Sequence, residues 1–256
     1  MDKLNKTSVD CLKCRARNNG LCSDLSPEQL ARVRQLKSCD RVVRAGADIF
    51  IPGEPCCTIY NVTEGWAFRY GLLKDGRRQI LDFALPGAVL GFHPAQGTMV
   101  SYGAQALTDT VVCVIPRENF ATLCRDLPEI GLRLAMMVSR DRSLAFDHLV
   151  SVGRQLAVER VTHLILELFL RARAQWPGQH GDEMQLPLTQ EHIADATGLT
   201  PVHVNRVLRE LSDDGVITFR YRRLCVLDPD KLAELAEIDP HLAMSWTRCV
   251  SVAAVP

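Results

Sequence analysis

Residues 189–212, TQEHIADATGLTPVHVNRVLRELS, decide the fold of this chain. Thr189 offers a capping hydroxyl to a short helix in which Ile193 faces inward and Ala194 is small enough for a close helix crossing. Gly198 supplies the backbone freedom that a tight turn needs. Thr200 and Pro201 restart a helix, because the hydroxyl caps free N–H groups and proline presets the first helical φ. Val204, Val207, Leu208 and Leu211 then line one side of the second helix. With Gln190, Ala194, Gly198 and Val204 at this spacing, the segment predicts a helix-turn-helix whose second helix enters the major groove of DNA.

Downstream, Val216–Phe219 and Leu224–Leu227 read as two strands joined by the basic run Arg220-Tyr221-Arg222-Arg223, a wing. A helical hairpin that merely packs would not need this addition. Arg206, Arg209 and the wing arginines place positive charge on one side, suited to phosphate contacts. Thr200, Val202, His203, Asn205, Arg206, Arg209, Arg220 and Arg222 are the candidate DNA contacts. From Glu159 onward 10 Lys and Arg stand against 14 Asp and Glu, so attraction has to come from this local patch. The whole chain carries 30 of each sign and gives no hint of nucleic acid.

Upstream, between about Val42 and Pro116, the pattern is different. Short β-rich runs (Asp48–Ile51, Thr58–Val62, Ala67–Leu72, Gln79–Phe83, Val111–Ile115) alternate with glycines, which predicts an antiparallel roll or sandwich. Asp75-Gly76 between two of these runs signals a hairpin. From Leu127 to Ala174 the only glycines are Gly131 and Gly153, and no proline follows Pro128. Leu134, Val138, Ala145, Leu149, Val152 and Leu156 recur at helical spacing, with Asp141 interrupting the stripe. Such a face serves either as a dimer seam, conditional on Asp141, or as packing against its own roll; the pattern leaves both open. A second helix is expected over Val158–Arg173, followed by a polar loop at Trp176–Glu183.

The chain therefore reads as α+β, and its 256 residues suffice for two cores. The expected parts are a cysteine-rich segment (1–28), an antiparallel β-roll sensor domain of cupin-like jelly-roll type (29–126) and a dimerisation helix (127–157). A winged helix-turn-helix (158–240) and a tail without assigned role (241–256) complete it. No apolar run reaches the roughly 18–20 residues that cross a bilayer. Met1–Asp10 is polar without a signal-peptide core, so a cytoplasmic location is expected. Ten cysteines in a reducing compartment point to metal binding before disulfides.

Three of them form Cys11-x2-Cys14-x7-Cys22 in a polar segment. Thiolates at this spacing can converge on one metal, with a fourth ligand from elsewhere, and both zinc and iron–sulfur centres accept four thiolates. The alternative is a set of unrelated exposed thiols. An iron–sulfur redox enzyme is disfavoured, and no enzymatic activity is expected. The chain shows no Rossmann or Walker glycine loop and no Ser/His/Asp set at motif spacing.

In combination these features resemble the CRP/FNR family of regulators over nearly the whole chain, to about Asp239. The roll matches in Gly46, Gly53, Gly65 and Gly76, then Pro86-Gly87 and Leu90-Gly91-Phe92. Members of the family that bind a cyclic nucleotide carry a Gly-Glu-Leu turn and a downstream Arg-Ser pair. Here Leu90-Gly91-Phe92-His93-Pro94 replaces the first, and Thr98–Gly103 contains no arginine, so a cyclic-nucleotide ligand is disfavoured. The FNR branch carries an N-terminal cysteine cluster and one strand cysteine before a hydrophobic residue and proline, which Cys113-Val114-Ile115-Pro116 matches. The x7 spacer looks like that of α-proteobacterial members. The resemblance implies that Cys11, Cys14, Cys22 and Cys113 ligate a [4Fe-4S] cluster whose oxidation loosens a dimer. It also implies a homodimer on a two-fold DNA operator, in contact with RNA polymerase. Cys56 and Cys57 are weaker substitutes; Cys39, Cys124, Cys225 and Cys249 are taken as structural.

Two departures qualify the match. FNR relatives read bases with Glu-x-x-Ser-Arg, whereas this helix has Val202-His203-Val204-Asn205-Arg206. Arg206 suits a guanine edge, Asn205 an adenine and Val202 a thymine methyl, so a different operator is expected. Ala145 stands where an acidic residue keeps the oxygenated enteric form monomeric, which predicts a tighter dimer. The competing expectation is a regulator of the same family that senses a small molecule in the roll or holds zinc.

Overall fold

A computed structural model of the chain describes residues 6–7, 9–55, 57–93, 99–175 and 183–238. The expected loop at 176–182 and tail at 241–256 lie outside these residues, as do Cys56 and Cys249. Strand β1 (Lys6–Thr7) precedes two 3-10 turns, Cys11–Lys13 and Arg15–Asn18, and helix α1 (Pro27–Leu36). The roll strands are β2 (Cys39–Val43), β3 (Asp48–Phe50), β4 (Thr58–Glu64), β5 (Ala67–Leu72), β6 (Arg78–Ala84), β7 (Val89–Leu90), β8 (Gly103–Ala106) and β9 (Thr110–Pro116). Helices α2 (Arg117–Asp126), α3 (Pro128–Arg154) and α4 (Ala157–Gln175) follow. The C-terminal part contains β10 (Glu183–Gln185), α5 (Gln190–Thr197), α6 (Pro201–Asp213), β11 (Ile217–Arg220), β12 (Arg223–Val226) and α7 (Pro229–Leu235).

The roll consists of two antiparallel sheets, in the orders β1-β2-β9-β4-β7 and β3-β8-β5-β6. Strands β3, β4, β5, β6 and β9 begin and end near the expected runs, whereas β1, β2, β7 and β8 had no run assigned, and Asp75-Gly76 turns the β5–β6 hairpin, with Gly76 at φ +87°. Because side chains alternate along a strand, β9 serves two cores. Val112 and Val114 face the roll interior with Val43, Val62, Ala67 and Ala104. Cys113 and Ile115 face the other way, into a second core shared with α1, α2 and the start of α3. Leu30 and Val33 of α1, Phe120 and Leu123 of α2, and Ile130, Leu134 and Met137 of α3 fill that core. Leu21 and Leu25 bring the cysteine segment into it. Each fully buried aliphatic side chain of this kind contributes about 1.5–3 kcal/mol.

Two elements absent from the sequence reading, α1 and α2, thus cover the outer face of the five-stranded sheet. Helix α1 starts at a capping box: the Ser26 hydroxyl accepts from Gln29 N, and the Gln29 side chain accepts from Ser26 N. Pro27 occupies the first turn. The chain divides into two compact units whose boundary, between Val138 and Ser139, falls inside α3.

In the second unit α4 packs against α5, α6 and α7, through a face that includes the buried Val161, Leu164, Ile165 and Leu168. Glu167 is buried in that helix, flanked by His148 Nε2 at 2.5 Å and Arg171 Nη1 at 2.6 Å. Burial alone would push its carboxyl above the usual carboxylate range, but these two partners overcome that and hold it down to about 2. It stays ionised at every physiological pH, and the triad ties the last turns of α3 to α4 through charge.

Candidate nucleic-acid interface and thiol centre

The helix-turn-helix is built by local chemistry. The Thr189 hydroxyl accepts from His192 N while the His192 ring accepts from Thr189 N, a capping box with histidine at the third position. Gly198 ends α5 in the left-handed region (φ +68°, ψ 27°), a conformation that glycine adopts without cost. Thr200 then caps α6 by accepting from His203 N, with Pro201 behind it. Val204, Val207, Leu208 and Leu211 are buried, as the spacing predicts.

On the opposite side of α6, Val202 is 80% exposed, and Asn205, Arg206 and Arg209 are also exposed. Arg206 Nη2 lies 2.7 Å from His203 Nε2, so His203 orients the guanidinium. Thr200 is exposed, but its hydroxyl is committed to the cap. The wing differs in detail from the expected basic connector. Arg220 and Arg223 are paired strand residues, and only Tyr221 and Arg222 form the turn, both at positive φ (51° and 61°). Two-residue hairpins require this twist and normally fill it with Asn or Gly. Two larger side chains here are strained into presenting themselves at the tip, where Tyr221 is 96% exposed. Arg223 pairs with Glu183 of β10, which adds a third strand to the wing, at 2.8 Å.

Between α6 and the wing runs an open polar groove of about 360 Å³ lined by Gln190, Asn205, Arg209, Ser212, Asp213 and Arg220 among others. Gln190 and Ser212 were not among the sequence candidates. Their signal was present, since Gln190 opens α5 and Ser212 stands seven residues after Asn205 on the same face of α6.

The thiols gather at the outer face of the five-stranded sheet. Cys11 and Cys22 pack on the core that contains Cys113. The thiols hinder one another's ionisation: Cys11 does so at Cys14, Cys14 and Cys11 at Cys22, and Cys22 and Cys11 at Cys113. Burial pushes the Cys22 thiol up to about 12 and the Cys113 thiol well above its usual range, with Asp40 adding to the latter. Both therefore stay protonated until a cation displaces the proton. Four soft sulfur donors around an apolar floor fit a zinc or iron–sulfur centre by chemistry. Among the described residues no three such side chains already stand in metal-binding geometry, so binding would draw the 11–22 loop closer to Cys113.

That loop is tied to its surroundings. Arg133 of α3, itself buried, reaches Asp24 Oδ2 at 2.8 Å, and Arg17 Nη2 donates to Leu25 O at 3.0 Å. Gly20 and Gly87 meet backbone to backbone: a Cβ at Gly20 would lie 3.0 Å from Gly87 Cα, and one at Gly87 2.9 Å from Asn19 O. Of the other cysteines, Cys39 pairs with Val114 and so faces away from Cys113, Cys57 is exposed, and Cys225 lies in the wing. Cys124 packs at the edge of the same core.

The α3 stripe divides. Leu134 belongs to the first unit's own core and is 6% exposed, the second of the two roles that the stripe leaves open. Val138, Ala145, Leu149 (71% exposed) and Leu156 are exposed, joined by Phe146 and Val150, while Val152 is half-buried. Asp141 is half-buried and lies 3.2 Å from Arg140.

Comparison with known proteins agrees with this geometry. The family model of the Crp-like helix-turn-helix domain matches residues 159–235, and that of the cyclic nucleotide-binding domain matches residues 40–126. The nitrogen fixation regulation protein FixK of Bradyrhizobium diazoefficiens is 32% identical over 88% of this chain and 93% of its own. The transcriptional activator protein FnrL of Cereibacter sphaeroides is 31% identical over 90% of this chain and 92% of its own. The solved structure of FixK2 from Bradyrhizobium japonicum is 29% identical, with a TM-score of 0.70 over 79% of this chain and 98% of that one.

Proposed function

Because this chain belongs to the CRP/FNR family of DNA-binding transcription regulators, we propose that it grips a two-fold operator as a homodimer and tunes that grip to oxygen through an iron–sulfur cluster on Cys11, Cys14, Cys22 and Cys113. The observation that supports the oxygen reading is that Cys11 and Cys22 pack on the core that holds Cys113, with Cys14 in the same short loop. When bound, the cluster would supply a centre that oxygen can dismantle. The chain's own residues do the rest. The cysteine loop shares a core with Ile130, Leu134 and Met137 of α3, and Asp24 pairs with Arg133 of the same helix. A change in loop packing therefore reaches the helix whose exposed face would join two copies, and dimerisation and DNA affinity are linked to it. The two recognition helices would address half-sites about one helical turn apart.

A cyclic nucleotide remains disfavoured as ligand, although the domain model of that name covers the roll, because residues 98–103 lack the arginine that a phosphate requires. RNA polymerase is the expected partner of the DNA-bound form, in keeping with relatives named transcriptional activators. Protein purified without oxygen is expected to show broad absorption near 400 nm, as an approximate position for thiolate-bound iron–sulfur centres, with matching iron and sulfide, and to lose it in air. A colourless, iron-free protein that still binds DNA would leave the regulator standing and replace the cluster by zinc or a ligand inside the roll. On the DNA side, Arg206→Ala is expected to weaken specific binding by about 1–3 kcal/mol, roughly five- to 150-fold in Kd. A titration against the native operator checks this, and an unchanged Kd would remove Arg206 from base reading.

A further inference from the structure

Just upstream of the cysteine loop, one main-chain residue is held from two sides. Val9 N donates to Asp40 Oδ2 at 2.7 Å, and Lys37 Nζ donates to Val9 O at 3.0 Å. Lys37 and Asp40 pair with each other at 2.7 Å, and their side chains are only 7% and 1% exposed. Lys37 is the C-cap of α1, and Asp40 stands in β2 directly opposite Cys113 of β9. Asp10, the next residue after Val9, caps the 3-10 turn that begins at Cys11. The charge of Lys37 is felt at Cys22 and Cys113, and that of Asp40 at Cys14 and Cys113. The second carboxylate oxygen, Asp40 Oδ1, is buried and has no hydrogen-bond partner among the described residues.

Stability alone does not account for this arrangement. Desolvating an ammonium and a carboxylate costs about as much as their attraction returns, so a buried pair is at best neutral against an apolar replacement. The pair's distinctive work is geometric: it clamps both polar groups of Val9, two residues before the first thiol. Its two charges oppose each other at Cys113, so the Lys37 ammonium is what offsets Asp40 beside a site where four thiolates would concentrate negative charge.

We propose that Lys37 and Asp40 are positioning residues for the cysteine centre, a clasp that sets the Cys11–Cys22 loop in register over Cys113 and, through the Lys37 ammonium, slows loss of the bound centre. This rests on the iron–sulfur reading above. The test compares the full-length wild-type chain with Lys37→Met, Asp40→Asn and Lys37→Arg, each loaded with iron and sulfide without oxygen. In Lys37→Met and Asp40→Asn the visible absorbance should decay in air about tenfold faster, the lower end of what outer-shell changes produce at metal sites. Lys37→Arg, which keeps the charge and a donor, should return to within about twofold of wild type. In the iron-free chains, amide hydrogen exchange over residues 9–22 should quicken about tenfold in Lys37→Met while the roll strands keep their protection.

A loaded wild type whose decay rate Lys37→Met leaves unchanged would overturn the clasp and spare the cluster. Unchanged exchange over residues 9–22 would likewise overturn it. A wild type that takes up no iron would overturn the cluster reading and with it the role given to Lys37. Equal decay in Lys37→Arg and Lys37→Met would remove the charge from the argument, and with it the proposal as stated.

Discussion

Cys113→Ser is expected to reduce the iron of anaerobically loaded protein from about four atoms per chain to a small fraction of that, while far-UV circular dichroism and the melting of the roll stay close to wild type. The reason lies in the strand. Cys113 is fixed in β9 by ladders on both sides, opposite Asp40 in β2 and Asn61 in β4. Its thiol points to the loop face because Val112 and Val114 take the interior. Cys39 faces the other side of the sheet and Cys57 is exposed, so neither can slide into its place. A serine hydroxyl fills nearly the same volume but is a hard, weakly acidic donor that an iron–sulfur centre does not accept. Iron and sulfide analysis with the visible spectrum reads the result. Unchanged iron would strike Cys113 from the ligand set and turn attention to Cys124, which packs at the edge of the same core.

Leu149→Asp is expected to convert the proposed homodimer into monomers at micromolar concentration and to reduce operator affinity by two orders of magnitude or more. Leu149 is 71% exposed on α3, one turn after the exposed Ala145 and beside the exposed Phe146 and Val150. A two-fold seam uses each residue twice. Losing two buried leucines then costs about 3–6 kcal/mol before the repulsion of two carboxylates is added. At 1.4 kcal/mol per tenfold this is about two to four orders of magnitude in the dimer constant. Leu134→Asp should behave differently: it lies in the first unit's core, so it should lower the melting temperature of the roll. Light scattering at graded concentrations separates the two. A Leu149→Asp dimer as tight as wild type would move the seam off this face.

The contrast between these two leucines shows what the sequence could and could not tell. Thr189, Gly198, Thr200 and Pro201 announce their helices because caps and left-handed turns are decided by neighbours a few residues away. The roll strands were readable for a similar reason, since alternation and glycine turns are local. Helical spacing, by contrast, tells that Leu134 and Leu149 share a stripe but not what covers each end of it. That depends on α1 and α2, which approach from distant parts of the chain. The Ser26-Pro27-Glu28-Gln29 start of α1 is itself a legible capping box, since its signal too lies within four residues. The third wing strand, β10, left no sign of its own, because only the register Glu183↔Cys225 through Gln185↔Arg223 makes it a strand. The clasp was equally hidden: Lys37 and Asp40 look like an ordinary surface pair at i,i+3 until Val9 closes over them.

The bare contact of Gly20 on Gly87 sets a tolerance. An interface of side chains absorbs small displacements by changing rotamers, and the far side hardly notices. Two glycine backbones in van der Waals contact have no such slack. Cys22 lies two residues beyond one glycine, and Val89, the first residue of β7, two beyond the other. A movement of the loop by a single ångström must therefore either open a gap or push the roll, which makes the joint act as a gauge and not as a cushion.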